Sequence, residues 1–273
     1  MDTRILTHEV YFAATPEEVF EVMVDPAKHS ESTGAPANIE PRPGGKFTLY
    51  NGQITGTFVE FQPNQRLVQE WRAANWPAGH SSQLTFTFSP LAEGRQTQLS
   101  MVQTGFPEDR FDELNRGWRD YYWNKMASYF REKKVALVRR FMEEFKNKAN
   151  LDIVDELFTP DFVLHLPGSG PLVGPQAQKA AGRTVFSAFS NIHVTVIDTI
   201  VEGDRVVERH RADAVHTGEF NGMPATGRKV YWTENHIYRL VKGKIAETWS
   251  EISFHDLMAQ IAPAQKKSAG REA

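Results

Sequence analysis

The sequence predicts an α+β protein made of two consecutive domains, each with an antiparallel sheet, joined by a long helix. Its 273 residues are close to twice the length of about 150 residues that a typical domain has. Short alternating segments separated by turn residues fill the region from Phe47 to Gln103, and a second set of them follows Val194. Between the two sets, a helical period continues through a stretch without glycine or proline, from Trp118 to Thr159.

The composition excludes several classes of function. Because the chain has no cysteine, disulfides, thiolate metal sites and cysteine nucleophiles are all excluded. A net charge of −3 offers no basic surface, so we expect neither nucleic acid nor a membrane as a partner. No apolar run approaches the roughly 18 residues that span a bilayer, and the first residues, MDTRILTHEV, lack the apolar core of a secretory signal. The sequence therefore predicts a cytoplasmic protein.

The first domain, residues 1–133, is predicted to begin with a strand and a short helix. Polar and apolar residues alternate from Thr7 to Phe12, as in a half-buried strand. Thr15 before Pro16 is typical of a helix N-cap followed by proline, and this helix should end near Asp25-Pro26. A meander of antiparallel strands is predicted next, at Phe47–Tyr50, Gln53–Glu60, Arg66–Arg72, Ser82–Ser89 and Thr97–Gln103.

A wide, mainly apolar helical stripe follows Pro107 and continues across the charged run Arg131–Lys134, where we place the domain boundary. Its residues are Phe111, Leu114, Trp118, Tyr121, Tyr122, Met126, Tyr129, Phe130, Val135, Leu137, Val138, Phe141, Met142 and Phe145. This pattern predicts one long or barely broken helix that joins the domains. Two helices that meet at a kink near the charged run are equally compatible with the pattern.

The second domain, residues 134–261, is predicted to pack helices on a curved antiparallel sheet. The predicted helices are Leu151–Phe158 and Gln176–Phe189, and the predicted strands are Phe162–Leu166, Val194–Glu202, Arg205–Thr217, Lys229–Val241 and Lys244–Ser253. Residues 262–273, which are rich in alanine, lysine, serine and glycine, show no periodicity and are predicted to be disordered.

The segment PRPGGKFTLYNGQITGTFVEFQPNQRLVQEWRAANWPAGH, with GWRDYYWNKM after it, resembles the C-terminal domain of the activators of heat-shock protein 90 ATPase. The resemblance covers nearly all of residues 1–133. It implies the helix-grip fold of the START-related superfamily, in which a sheet wraps around a long C-terminal helix, and it implies a chaperone partner. It also implies an apolar tunnel, in which Trp71, Trp76 and Trp118 would contact a flat hydrophobic ligand; packing of these side chains in the core is the alternative.

The segments LVRRFMEEFKNKANLDIVDELFTPDF and GMPATGR, the latter followed by NHIYR and GKI, resemble the SnoaL-like polyketide cyclases. The resemblance covers about Lys134 to Leu257 and implies the cone-shaped fold of nuclear transport factor 2. In this family a histidine on one strand and an aspartate on the next act as acid and base in an intramolecular aldol closure. His236 stands at the histidine position, whereas Ser250, fourteen residues later, stands at the aspartate position.

With Ser250 at the aspartate position, the second member of the acid–base pair is undetermined, because a serine hydroxyl cannot accept a proton as a carboxylate does. Glu251 points to the other side of the strand unless a bulge shifts the register. If Lys242-Gly243 is a two-residue turn, His236 shares its face with Glu251. If the turn is a three-residue loop, Thr248 and Ser250 join His236, and the resemblance favours this second register.

The candidate catalytic residues are therefore His236, Ser250 and Glu251. The candidate ligand contacts in this domain are His165, His216, Trp232, Glu234, Tyr238 and Thr248. We predict no metal, because His165, His210 and His216 form no His-x-His or His-x-x-x-His motif with a flanking carboxylate. The related cyclases imply no cofactor. A hydrogen-bonded core position is the alternative for His236.

Two functional hypotheses follow. The first is binding of a small hydrophobic, polyketide-like molecule, with cofactor-independent acid–base chemistry of the cyclase or isomerase type in the second domain. The second is a non-enzymatic ligand-binding or chaperone-associated module in which the second domain forms a homodimer. The retained His236 favours the first hypothesis and Ser250 favours the second, so the sequence leaves enzymatic activity open.

Overall fold

The structure is a computed structural model that describes residues 4–263. Its contacts divide the chain into two compact units. The first unit contains the described residues up to Lys134 together with Glu202–Asp204, and the second contains the others from Val135 onward. Most of the predicted disordered tail, from residue 264 onward, lies outside the described residues.

The first unit is built on a seven-stranded antiparallel sheet. Its strands are β1 (Ile5–Phe12), β2 (Ala37–Ile39), β3 (Lys46–Leu49), β4 (Ile54–Gln62), β5 (Arg66–Ala73), β6 (Ser82–Leu91) and β7 (Gln96–Thr104). Their spatial order is β1-β7-β6-β5-β4-β3-β2. The predicted strands of the meander therefore exist within a few residues of their expected limits, and β2 is an addition that the sequence reading missed.

Two short helices, α1 (Pro16–Val24) and α2 (Pro26–Thr33), follow β1. Thr15 Oγ1 accepts a hydrogen bond from Glu18 N, and the Glu18 carboxylate accepts one from Thr15 N, so α1 begins at a complete capping box. Asp25 Oδ1 accepts a hydrogen bond from Lys28 N and caps α2 in the same way. The sequence reading correctly ended α1 before Pro26 but missed α2, because PAKHSEST carries no apolar stripe.

A helical segment runs without interruption from Phe111 to Asn147. It consists of α3 (Phe111–Gly117), a π-helical turn (Trp118–Trp123), α4 (Asn124–Phe141) and a second π-helical turn (Met142–Asn147). The long helix that the sequence predicts is therefore confirmed, since α4 continues as α-helix through the charged run. The deviations from regular α geometry are the two π turns, which lie on either side of α4.

The second unit is built on a six-stranded sheet. Its strands are β8 (Phe158–His165), β9 (Leu172–Val173), β10 (Phe189–Glu202), β11 (Arg205–His216), β12 (Lys229–Val241) and β13 (Lys244–Ile252), and its short helices are α5 (Ile153–Leu157), α6 (Pro175–Ala188) and α7 (Phe254–Ile261). The spatial order is β10-β11-β12-β13-β8-β9. The β11–β12 and β12–β13 ladders are antiparallel, as predicted, whereas the β13–β8 ladder is parallel and departs from the curved antiparallel sheet that the sequence predicts for this domain.

The hairpin between β12 and β13 combines the two registers that the sequence left open. Val241 pairs with Lys244, so Lys242-Gly243 is a two-residue turn, and the positive φ of both residues (48° and 69°) is typical of a type I′ hairpin. An extra residue, Ala246, then shifts the register between Leu240 and Arg239, because Leu240 pairs with Ile245 and Arg239 pairs with Glu247. This β-bulge places Ser250 opposite His236.

The expected link between turn length and register is therefore wrong, although the expected juxtaposition of His236 and Ser250 is correct. The bulge at Ala246 produces this juxtaposition, and not a three-residue loop.

Within residues 4–263, no helix combines the length and apolarity that crossing a bilayer requires.

Candidate functional site

A cavity of about 90 Å³ lies in the second unit, on the inner face of the sheet. Apolar side chains such as Phe145, Leu164, Val185 and Phe186 form much of its wall. Its polar wall includes Lys146, Glu234, His236, Tyr238, Thr248 and Ser250. The cavity therefore joins an apolar volume to a compact group of ionisable and hydroxyl side chains.

The strand pattern explains how these polar groups meet. Glu234, His236 and Tyr238 alternate along β12, so they share one face of the sheet. The bulge in β13 turns Thr248 and Ser250 to the same face, where they pair with Tyr238 and His236. All five side chains are almost fully buried. Lys146 reaches the group from the π-helical turn Met142–Asn147.

Glu234 is the centre of this buried group. Its Oε2 lies 2.5 Å from His236 Nε2 and 3.1 Å from His210 Nε2, and it forms an ion pair with Lys146 Nζ. Its Oε1 accepts a hydrogen bond from the Trp232 indole at 2.5 Å. Lys146 Nζ also lies 3.0 Å from His210 Nε2 and 3.2 Å from His236 Nε2. We call these five residues the charged cluster.

The electrostatics of the charged cluster favour an ionised Glu234 and neutral histidines. Burial alone raises the pKa of Glu234, but the Lys146 ammonium and the hydrogen bonds with His210 and His236 outweigh it and hold the pKa well below its usual range. Burial and Lys146 lower the pKa of His236 to about 4, against the opposing effect of Glu234. Burial and Lys146 likewise lower the pKa of His210. Near pH 7, His236 is therefore a neutral imidazole.

The hydrogen bonds indicate which ring nitrogen of His236 carries the proton. Ser250 Oγ lies 2.8 Å from Nδ1, and the Glu234 carboxylate faces Nε2. The assignment that satisfies both partners has Nε2–H donate to Glu234 and the Ser250 hydroxyl donate to Nδ1. The lone pair of Nδ1 is therefore held on the side of the ring that faces Ser250.

Three further polar groups near His236 have weak partners or none within the described residues. Both carboxylate oxygens of Glu208, which pairs across the ladder with His236, lack a hydrogen-bond partner there, and burial raises the Glu208 pKa to about 7 against the effect of Lys146. Thr248 Oγ1 also has no partner in this part of the chain. The Tyr238 hydroxyl contacts only Met142 Sδ, at 3.5 Å.

Six of the predicted site residues of the second domain line the cavity: Trp232, Glu234, His236, Tyr238, Thr248 and Ser250. His216 is buried away from it and hydrogen-bonds to Thr226 Oγ1 at 3.0 Å. Glu251, which pairs with Asn235, is exposed and does not substitute for the missing aspartate, because the bulge turns Ser250 and not Glu251 towards His236.

His165 also lies outside the cavity, because its side chain is on the other face of the sheet from Leu164. Its ring stacks on Trp249 with the centroids 5.1 Å apart, and Nε2 hydrogen-bonds to Glu247 at 2.8 Å. In the first unit, Trp71, Trp76 and Trp118 do line a common cavity, which is larger, at about 370 Å³.

Sequence reasoning missed Lys146 and Glu208 and gave Glu234 only a contact role. Glu234 was open to prediction as the partner of His236, since residues i and i+2 of a strand share a face. Nothing local identifies Lys146, which is 90 positions from His236 and lies in a helical turn that also contains Glu143 and Glu144.

The charged cluster also contains a set of donors that could hold a metal ion. The ligand atoms of His210, Glu234 and His236 lie within 4.8 Å of one another, and two histidines with one carboxylate form a common metal-binding set. The Lys146 ammonium, however, contacts all three residues. A divalent ion at the same point would meet a positive charge at close range, so Lys146 opposes metal binding. The absence of a metal stays a prediction.

Comparison with known proteins identifies two families along the chain. The profile of the family described as Activator of Hsp90 ATPase homolog 1-like protein matches residues 13–131, and that of the SnoaL-like polyketide cyclases matches residues 136–261. The human Activator of 90 kDa heat shock protein ATPase homolog 1 is 31% identical over 125 residues, which are 46% of this chain and 36% of that relative. The chain therefore spans little more than a third of that relative's length.

The second domain has its own relatives. Aklanonic acid methyl ester cyclase DnrD of Streptomyces peucetius is 32% identical over 118 residues, which are 41% of this chain and 79% of the cyclase.

Among solved structures, an HSP90 activator from Plasmodium falciparum aligns with 46% of this chain and 94% of its own, at 21% identity and a TM-score of 0.44.

Proposed function

Because its second domain belongs to the SnoaL-like polyketide cyclases and its first to the Activator of Hsp90 ATPase homolog 1-like proteins, we propose that the protein binds a small hydrophobic carbonyl compound and moves protons on it without a cofactor. The reaction is of the cyclase or isomerase type and takes place in the second domain, which we assign to residues 134–261. The first domain is assigned to residues 1–133. Both families were expected from the sequence, and both resemblances are confirmed.

One observation carries this proposal: the neutral His236 ring lies on the wall of an apolar cavity, with Glu234 on one nitrogen and Ser250 on the other. When the Ser250 hydroxyl rotates away from Nδ1, the neutral imidazole is able to remove a proton from carbon next to a carbonyl group. Glu234 then stabilises the imidazolium that forms, at a distance of 2.5 Å. The unpartnered Thr248 hydroxyl and the weakly bound Tyr238 hydroxyl are donors for the enolate oxygen.

The size of the cavity supports a small substrate. Pockets that enclose drug-sized ligands usually measure about 300–1,000 Å³, whereas this cavity measures about 90 Å³. A multi-ring polyketide would need additional space, so the proposal is restricted to a small molecule or to the reacting end of a larger one. The largely apolar wall favours an aryl or alkyl group beside the carbonyl.

Hydrogen–deuterium exchange of phenylacetone, followed by NMR in D₂O, tests the proposal. The wild-type protein should accelerate loss of the methylene proton signals, and His236→Gln should reduce this acceleration by about 100-fold or more, the usual contribution of a general base. His193→Gln is the matched control, since His193 is an exposed histidine of the same domain. Equal rates for wild type and His236→Gln contradict the proposal.

A second candidate function rests on the first domain alone. The relatives of this domain are named as activators of 90 kDa heat shock protein ATPase, which favours a chaperone-associated, non-enzymatic module. A location in the cytoplasm and a homodimer contact through the second domain stay predictions from the sequence. ATP hydrolysis by a purified Hsp90 chaperone, measured with and without the protein, tests the partner. Light scattering of the protein alone tests the dimer. A change in ATP hydrolysis without any exchange of phenylacetone would favour this candidate.

A further inference from the structure

We propose that Ser250 is a nucleophile, which attacks the carbonyl carbon of a small ester in the second-domain cavity with His236 as its general base and Glu234 as the group that orients the imidazole. The protein would thus be an acyl-transferring hydrolase in addition to a proton-transfer catalyst. This inference rests on the proposed function in that both use the same cavity and the same histidine.

The geometry around His236 has the three parts that an activated serine requires. Ser250 Oγ lies 2.8 Å from His236 Nδ1, within the range of about 2.6–3.2 Å expected for a nucleophile and its base. The opposite nitrogen, Nε2, lies 2.5 Å from a buried carboxylate of Glu234. Such triads are recognised by geometry and roles, and their order along the chain varies. Here β12 supplies the base and carboxylate, and β13 supplies the nucleophile.

The ring orientation of His236 differs from the usual triad, in which Nε2 faces the serine and Nδ1 faces the carboxylate. Either orientation can work, because in a neutral imidazole one ring nitrogen accepts a proton while the other donates a hydrogen bond to the carboxylate. The indole of Trp232 holds the second oxygen of Glu234 at 2.5 Å, so the carboxylate is fixed from both ends.

The same face also provides donors for the oxygen of an attacked carbonyl group. Thr248 is two residues before Ser250 on β13, is 2% exposed, lines the cavity and lacks a hydrogen-bond partner for Oγ1 in the described part of the chain. Tyr238 pairs with Thr248 across the ladder, and its hydroxyl donates a weak hydrogen bond to the Met142 sulfur. These two hydroxyls are placed to bind the oxyanion that forms when Oγ adds to the carbonyl carbon.

The proposed reaction balances without an oxidant, reductant or metal. The Oγ proton passes to His236 Nδ1 while Oγ bonds to the carbonyl carbon of the ester. The bond from that carbon to the alcohol oxygen then breaks, and the imidazolium protonates the departing alcohol. Water gives a proton to His236 and attacks the acyl carbon, and Ser250 Oγ leaves with that proton. Ester and water are consumed, and acid and alcohol are formed.

Labelling with an ethoxy fluorophosphonate probe tests this inference on the full-length protein. Mass spectrometry of the tryptic peptide 245–266 should place the adduct on Ser250. Ser253 lies in the same peptide, and its hydroxyl accepts a hydrogen bond from Thr233 N. Ser253→Ala should therefore label like the wild type, whereas Ser250→Ala should lose the label. His236→Gln should label about 100-fold or more slowly.

A cysteine at position 250 provides a second readout that does not depend on retention of ester turnover. The chain has no natural cysteine, so Ser250→Cys introduces its only thiol. If His236 removes the proton from residue 250, iodoacetamide should alkylate Ser250→Cys about ten-fold faster at pH 7 than it alkylates the double variant with His236→Gln, because the thiolate is the reactive form. Equal alkylation rates would overturn the base–nucleophile relation.

The two proposals fail in different ways. No adduct on Ser250 in a wild-type protein that still exchanges phenylacetone overturns the nucleophile and leaves the proposed function intact. Labelling of Ser250 without any exchange supports the nucleophile and removes proton transfer on carbon.

Discussion

Both units bury polar groups inside an aromatic core, but these groups are neutral in the network around Gln103 of the first unit and charged in the cluster around Glu234 of the second. In the first unit the Trp118 indole donates to Gln103 Oε1 at 2.9 Å, Gln103 Nε2 donates to Ser82 Oγ at 2.9 Å, and Ser82 Oγ donates to the Trp71 carbonyl at 3.1 Å. Every side chain in this series of hydrogen bonds is neutral. In the second unit the buried groups around Glu234 are an ion pair and two histidines, and Glu208 lies opposite His236 with no hydrogen-bond partner for its carboxylate within the described residues.

The difference supports the placement of the proposed chemistry in the second unit. A neutral network with all its donors satisfied orients large rings at little electrostatic cost and suits a binding wall. Buried charges have a high desolvation penalty, and groups with displaced pKa values concentrate at functional sites. The first unit has the larger cavity, about 370 Å³, and the second has the smaller one and the stronger electrostatics.

The largest effect is expected from the charged cluster. Lys146→Met should destabilise the protein by about 3–5 kcal/mol, because it leaves the Glu234 carboxylate buried without its cation. Chemical denaturation followed by fluorescence measures the change. Lys148→Met is the matched control: Lys148 is an exposed lysine paired with Glu144, and its loss should leave the free energy of unfolding nearly unchanged. Equal effects of the two variants would mean that burial of the pair is not what matters.

The next effect depends on pH. Burial raises the pKa of Glu208 from its ordinary value of 4.5 to about 7 in the folded protein. The folded state therefore binds the proton more tightly than the unfolded state. Its stabilising contribution is therefore complete below pH 4.5 and is lost as the pH rises through 7. Glu208→Gln should be more stable than wild type at pH 8 by on the order of 3 kcal/mol, with little difference at pH 4.5. Thermal unfolding at both pH values measures this difference, and a stabilisation independent of pH would contradict it.

A smaller loss is expected in the neutral network of the first unit. Gln103→Leu removes the acceptor of the buried Trp118 indole and the donor to Ser82, which should cost about 1–3 kcal/mol. The loss should not vary between pH 5 and pH 8, in contrast to the variant at Glu208. Gln83→Leu, on the exposed side of β6, should change the free energy of unfolding by no more than about 0.5 kcal/mol.

The smallest effect tests whether charge alone distinguishes the second unit. Arg140 forms two hydrogen bonds with Glu156, at 2.6 and 2.7 Å, and both side chains are at least half exposed. A double-mutant cycle with Arg140→Ala and Glu156→Ala should give a coupling energy close to zero, since water screens this pair. A coupling energy as large as that between Lys146 and Glu234 would mean that burial does not explain the difference between the exposed and the buried ion pair.

Much of the fold was open to prediction because its elements have strong periods. The alternating residues of β5, β6 and β12 placed their limits within two residues, and the helical stripe through the charged run predicted α4. The short elements α2 and α7 were missed. Eight residues are few for a periodic signal, and α2 in addition is mainly polar.

The sequence by itself determined that Glu234, His236 and Tyr238 share one face, because side chains on a strand alternate whatever packs against them. The partners of that face were decided by the tertiary structure. The bulge at Ala246 selected Ser250 over Glu251, and the helical turn after α4 brought Lys146 to a carboxylate 88 positions away. Register shifts and contacts across such distances depend on how the whole sheet and helix pack, and no local period records them.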